Sequence, residues 1–109
     1  MPGLTLNQQQ KTILMDIAKK TIEAAALSGK VPDFTVTDQV LKEKCGAFVT
    51  IHKKGNLRGC IGNIIGTLPL WETVRKMAVA ASLHDPRFAP LSPDELEDID
   101  IEISVISPF

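Results

Sequence analysis

The residues of this chain best suited to chemistry lie in one hexapeptide, Leu57-Arg58-Gly59-Cys60-Ile61-Gly62. In an extended strand, positions two apart share a face, which places Arg58 and Cys60 together at about 7 Å along the chain. A neighbouring guanidinium favours thiolate over thiol, and the thiolate is the nucleophile. Backbone N–H groups near Gly59 and Gly62 could then donate to charge developing on an acyl or other anionic ligand. Core strands avoid both Arg and Gly, because an unpaired charge is costly to bury and Gly leaves nothing to pack. Something must therefore approach this backbone closely: another strand, a loop or a ligand. The plainer reading makes Cys60 a small buried hydrophobe and pairs Arg58 with a carboxylate such as Glu102.

Two histidines compete for the role of base. Lys53-Lys54-Gly55-Asn56 is rich in turn residues between two apolar runs, which predicts a tight antiparallel hairpin. With an even-membered loop, Cys60 falls on the face of Val49 and Ile51. His52 then lies on the opposite face with Phe48, Thr50 and Leu57, and only an odd count would bring it to Cys60. His84 is the better candidate on this count, since Asp85 or Arg87 could set its tautomer and charge. A His at a helix C-terminus is, however, more often a cap. A Cys2His2 metal site from Cys45, His52, Cys60 and His84 has gaps that match no zinc-knuckle spacing, so no metal and no cofactor is expected. The glycines follow no phosphate-loop pattern. Asp85-Pro86-Arg87-Phe88 forms a Pro-stiffened loop in which Asp85 and Arg87 could make the rim of an anion site. Its structural alternative is an Asp turn, a surface Arg and a Phe plug.

The elements that must position these residues are legible from periodicity. Thr5 and Gln8 read as a capping box, followed by apolar residues from Ile13 to Ala25 at helical spacing and a stop at Ser28-Gly29. Thr37 is expected to cap a short helix running to Lys44. Ala47 to Ile51 and Leu57 to Ile61 are the hairpin strands. Leu70 to about Leu83 is a helix with Trp71, Val74, Met77, Ala78 and Ala81 on one stripe. Ser92-Pro93-Asp94-Glu95 is a second capping box opening a short helix. Ile99, Ile101, Ile103 and Val105 alternate with polar residues, as in a strand with one buried face. The order predicts an α+β fold whose mainly antiparallel sheet, with its β-hairpin, is covered by helices.

The 109 residues suffice for one domain with a real core. A formal net charge of −1 and 5% aromatic residues argue against a dedicated nucleic-acid binder. Two cysteines cannot make a disulfide scaffold, no apolar run suits a membrane span, and the N-terminus lacks the pattern of a secretory signal. A cytoplasmic location is the expectation. The ending Ser107-Pro108-Phe109 directly after a strand resembles an interruption of the chain more than a natural terminus.

Four segments together resemble the AMMECR-domain family: Gly46 to Thr50, the hexapeptide, Asp85 to Phe88, and Ile103 to Pro108. The resemblance covers the chain from about Leu4 onward. It implies an α+β fold with an antiparallel sheet in two associated parts and a site in the cleft between them. It also implies that residues 1–109 are a single AMMECR-like domain lacking the family's C-terminal part. Carried over position by position, it marks Arg58, Gly59, Cys60, Gly62, Asp85 and Arg87. The family has no established biochemical role, and its bacterial members are associated with a Memo-like protein and a radical-SAM protein as conceivable partners. Three functions follow as expectations. The first is a ligand or catalytic cleft at the hexapeptide, thiol-dependent, taking a small anionic or acyl ligand. The second is a non-catalytic protein-interaction module, and the third an RNA-related role that the neutral charge disfavours.

Overall fold

A computed structural model describes residues 5–106. Helix α1 spans Gln8–Leu27, strands β1 and β2 span Gly46–Lys53 and Asn56–Asn63, helix α2 spans Leu70–Leu83, a 3₁₀ turn spans Pro93–Asp98, and strand β3 spans Ile99–Ile106. The three strands form one antiparallel sheet in the order β2-β1-β3. The α+β reading therefore holds. The ending at Ser107-Pro108-Phe109 lies outside the described residues.

Both helices cover one face of the sheet. Helix α2 lies against β1 and β2, and α1 lies against α2 and β3. Ala47, Val49 and Ile51 of β1 are fully buried beneath them, with Leu14, Ile22, Leu41, Leu70 and Val74 completing the core. The opposite face carries Phe48, Thr50 and His52 from β1 and Asp100, Glu102 and Ser104 from β3. No helix among the described residues covers that face. Nor is any described helix long and apolar enough to cross a membrane.

Two local expectations fail for identifiable reasons. The first capping box uses Asn7 and Gln10, two residues later than Thr5 and Gln8. Asn7 Oδ1 accepts from the Gln10 amide at 2.8 Å, and the Asn7 amide donates to Gln10 Oε1 at 2.9 Å. Gln10 is also buried against the Asp38 carboxylate, a tertiary contact that favours this register. The expected helix from Thr37 to Lys44 is only a turn, in which Asp38, not Thr37, accepts the Val40 and Leu41 amides. The carbonyls of Leu41 and Glu43 accept instead from the Trp71 and Leu70 amides. Helix α2 begins after Pro69 with no side-chain cap, so these backbone carbonyls satisfy two of its orphan donors.

Candidate functional site

Hairpin geometry decides which side chains share a face. Lys53 pairs with Asn56 around a two-residue loop, Lys54-Gly55, whose φ values of 50° and 82° suit a type I′ turn. The loop is even, the case in which Cys60 would have joined the face of Val49 and Ile51. The register nevertheless shifts within β2: Ile51 pairs with Gly59, but His52 pairs with Leu57, leaving Arg58 as the extra residue of a bulge. One inserted residue reverses parity for everything beyond it. Gly59 therefore faces the core beside Ile51, and Cys60 lies opposite Thr50 on the uncovered face. The expectation that Cys60 shares the face of Val49 and Ile51 is wrong, as is the exclusion of His52 from the face of Cys60.

The same bulge separates Arg58 from the thiol. Arg58 Nε lies 2.9 Å from Glu95 Oε2, and its NH2 group lies 3.0 Å from Glu95 Oε1, a bidentate pair. Lys53 Nζ reaches Glu95 as well, at 3.0 Å, and the Ser92 amide and hydroxyl donate to Oε1. The Arg58 and Glu95 side chains are only 14% and 11% exposed. The Arg58 guanidinium holds the Glu95 carboxyl well below the usual carboxylate range against the opposing effect of burial, with Ser92 and Lys53 adding to it. Pairing with a carboxylate was foreseen, but its partner is Glu95, and Glu102 is exposed. Arg58 and Cys60 thus engage different groups, and the expected convergence of guanidinium and sulfur does not occur.

Each motif glycine has a protein neighbour where a side chain would stand. A Cβ at Gly59 would lie 2.2 Å from the Ala81 carbonyl oxygen, because the last turns of α2 rest on this strand. A Cβ at Gly62 would lie 2.2 Å from the Phe48 ring. A ring can turn where a helix backbone cannot, so Gly62→Ala should be the milder change. Truncating Phe48 in the same chain should recover part of the loss, a coupling that a double-mutant cycle of thermal unfolding would read.

Asp85 and Arg87 clamp the edge of the sheet at Cys60. The buried Asp85 carboxylate accepts the Cys60 amide at 3.0 Å, and the Arg87 NH2 group donates to the Cys60 carbonyl at 3.2 Å. The two side chains also bind each other, at 2.8 and 3.0 Å. Together they satisfy the outward donor and acceptor of one residue, as a neighbouring strand would. The Arg87 guanidinium, followed by the Cys60 amide, keeps Asp85 well below the usual carboxylate range, and Asp85 raises Arg87 in return. Phe88 lies under both guanidiniums, 5.9 Å from Arg58 and 5.5 Å from Arg87.

The remaining candidates separate cleanly. Cys60 Sγ is half-buried and lies 3.2 Å from the Thr50 hydroxyl. His52 is on the same face, one diagonal step away, a spacing of roughly 7–8 Å between Cα atoms. His84 is exposed at the C-cap of α2, its amide bonded to the Ala80 carbonyl. Cys45 is buried, with Sγ donating to the Ile106 carbonyl at 2.9 Å, and burial pushes its thiol up. Among the described residues, no group of three or more His, Cys, Asp or Glu side chains is placed to hold a metal ion. Counting loop residues alone hid His52. The signal available was Arg58 itself, an awkward side chain beside a hairpin, where bulges concentrate.

A three-stranded antiparallel sheet with helices on one face and a clamped thiol-bearing edge defines an α+β domain with its motif residues gathered at β2. The chain belongs to the AMMECR1 family, whose profile matches residues 15–109. A protein of Thermotoga maritima is 47% identical over 95 residues, covering 84% of this chain and 55% of its own length. A protein of Methanothermobacter thermautotrophicus is 41% identical over 106 residues, covering 94% of this chain and 54% of its own. The crystal structure of the uncharacterized protein PH0010 from Pyrococcus horikoshii is similar, with a TM-score of 0.79 and 34% identity. That match covers 85% of this chain and 49% of PH0010. The chain thus spans about half the length of the relatives it matches.

Proposed function

We propose that the uncovered sheet face at Cys60 is a thiol site for a small acyl or anionic ligand. One observation carries this reading: Cys60 presents its sulfur beside the Thr50 hydroxyl, on a backbone whose amide and carbonyl are both held by Asp85 and Arg87. A nucleophile needs such a fixed mount. His52 replaces His84 as the proposed proton carrier, and Arg87 replaces Arg58 as the cation nearest the thiol-bearing residue. In acyl transfer His52 would take the thiol proton as the sulfur attacks the carbonyl carbon and pass it to the departing leaving group, and water would then release the acid from the thioester and restore the thiol. The Cys60 amide is committed to Asp85, and Gly59 faces β1. Gly62, two residues beyond Cys60, turns its amide away from β1 by the alternation of an antiparallel ladder and serves as the donor to the ligand.

Iodoacetamide labelling of the folded protein near pH 7, followed by intact mass, tests the thiol. Cys60 should label at least about tenfold faster than a cysteine in an unstructured peptide, and His52→Ala should slow it. If Cys60 is no faster than the peptide, the nucleophile role is lost.

A second reading rests on a separate observation. Ile64 and Ile65, adjacent just beyond β2, are 71% and 70% exposed. Such a patch suits docking of a protein partner, for which the family's Memo-like and radical-SAM associates are the first to try. Ile64→Asp with Ile65→Asp should abolish co-purification while leaving Cys60 labelling unchanged. Arg58→Ala is a poor probe, because it strands Glu95.

A further inference from the structure

The thiol stands between two unlike neighbours. Cys60 lies opposite Thr50, and Phe48 and His52 each lie two residues from Thr50 along β1, in opposite directions. Both therefore sit one diagonal step from Cys60 on the uncovered face, roughly 7–8 Å away between Cα atoms. His52 pairs with Leu57 on one side and Asp100 on the other, while Phe48 pairs with Gly62 and Ser104. The sulfur thus has a proton carrier to one side and an aromatic ring to the other.

The ring is held in place by backbone. A Cβ at Gly62 would meet Phe48 Cγ and both Cδ atoms together, so a face of the ring lies over this glycine. Phe48 is half-buried, which leaves part of the ring open. Beyond it, the Asn63 and Ile64 carbonyl oxygens fill the space that a Gly46 side chain would need. Apart from His52, the charged side chains that the paired strands bring to this face are Asp100 and Glu102, both exposed. Arg87, at the β2 edge, is already paired with Asp85.

The geometry points to an uncharged, apolar acyl donor as the substrate class, with Phe48 as the specificity-determining residue. This selectivity rests on Cys60 being the nucleophile proposed above. The proton sets the orientation. His52 must reach the leaving group, so the leaving group lies on the Asp100 side of the sulfur and the acyl chain on the Phe48 side. The carbonyl oxygen then falls to the Gly62 amide, next to the ring. The sulfur–carbon bond forms, the bond from that carbon to the leaving group breaks, and the thiol proton departs with the leaving group by way of His52. An acyl chain ending in a carboxylate would set its charge against the ring and two carbonyl oxygens, with Glu102 one row away. An apolar chain loses nothing there and gains the ring.

Acylation of Cys60 by p-nitrophenyl esters, followed by intact mass and peptide mapping, tests this with acetyl, hexanoyl and hemiadipoyl donors. Each rate is divided by that of a cysteine in an unstructured peptide, which removes the intrinsic reactivity of the ester. Four methylenes half-buried against the ring should favour hexanoyl over acetyl roughly tenfold. The hemiadipoyl ester, equal in length but ending in a carboxylate, should be at least about tenfold slower than hexanoyl. Phe48→Thr keeps a strand-forming residue and should return the hexanoyl-to-acetyl ratio to that of the peptide. Should that variant fail to fold, the wild-type comparison of hexanoyl with hemiadipoyl decides. Fast iodoacetamide labelling combined with equal normalised rates for all three esters overturns the role of Phe48 and leaves the thiol reading standing. A hexanoyl preference that survives Phe48→Thr does the same. Labelling no faster than the peptide removes the thiol reading, and this selectivity with it.

Discussion

Gly59→Ala is expected to be among the most damaging additions of a single methyl group to this protein. The new Cβ would stand 2.2 Å from the Ala81 carbonyl oxygen, well inside contact distance. Neither side can yield locally. Gly59 is held in the ladder against Ile51, and Ala81 is part of a helix whose Val74, Ala78 and Ala81 are buried in the core. Relief requires α2 to move off the sheet, which separates the buried faces of both. Overpacking of this kind costs about 3 kcal/mol or more where nothing can repack. In a domain of this size that is a fall in Tm of roughly 10–20 °C. Thermal unfolding followed by circular dichroism would read it directly. A Gly59→Ala protein that melts within a few degrees of wild type would mean that α2 does not rest on β2 as described. This glycine therefore has a sufficient structural reason, with no ligand at its Cα.

Glu95→Ala should rank next, for an electrostatic reason. Glu95 is the shared acceptor for Arg58, Lys53 and Ser92. Its loss leaves Arg58, 14% exposed, without its carboxylate. Removing one partner of a nearly buried pair costs about 3–5 kcal/mol, mostly the penalty of the stranded charge. Glu95→Gln keeps the shape and isolates the charge. The pH dependence has a definite sign. The folded-state pKa of Glu95 is depressed, so its stabilisation is fully present above the unfolded carboxylate value, about 4.3, and drains away as pH falls through the folded value. Asp85 acts in the same direction. Wild type should therefore lose Tm progressively below about pH 5, and Glu95→Gln should show a shallower acid slope. Equal slopes in the two proteins would remove Glu95 as the acid-sensitive group.

These two residues also mark how far reading the chain could reach. Gly59 announced a close approach because glycine and a buried strand conflict, but the approaching atom belongs to a helix 22 residues away in sequence. Arg58 announced a carboxylate partner, and Glu95 was visible only as half of a capping box. Both roles coexist: Glu95 Oε1 accepts the Ser92 amide while both its oxygens hold Arg58. Asp85 and Arg87 were expected at the rim of a ligand site, and they do meet at the hexapeptide. What they bind there is the Cys60 backbone.

The sequence alone determined the α+β class, both long helices, the hairpin and its turn, and β3. Each depends on periodicity or on residues within a few positions of one another, where local sterics and hydrogen bonds decide. It also marked Cys60 and the Asp85–Arg87 loop as companions. Only the tertiary structure decided which face Cys60 occupies and which cation serves which anion. A single bulge residue inverts a strand's faces, and long side chains such as Arg58 select partners by where distant elements pack. Neither choice leaves a periodic trace along the chain.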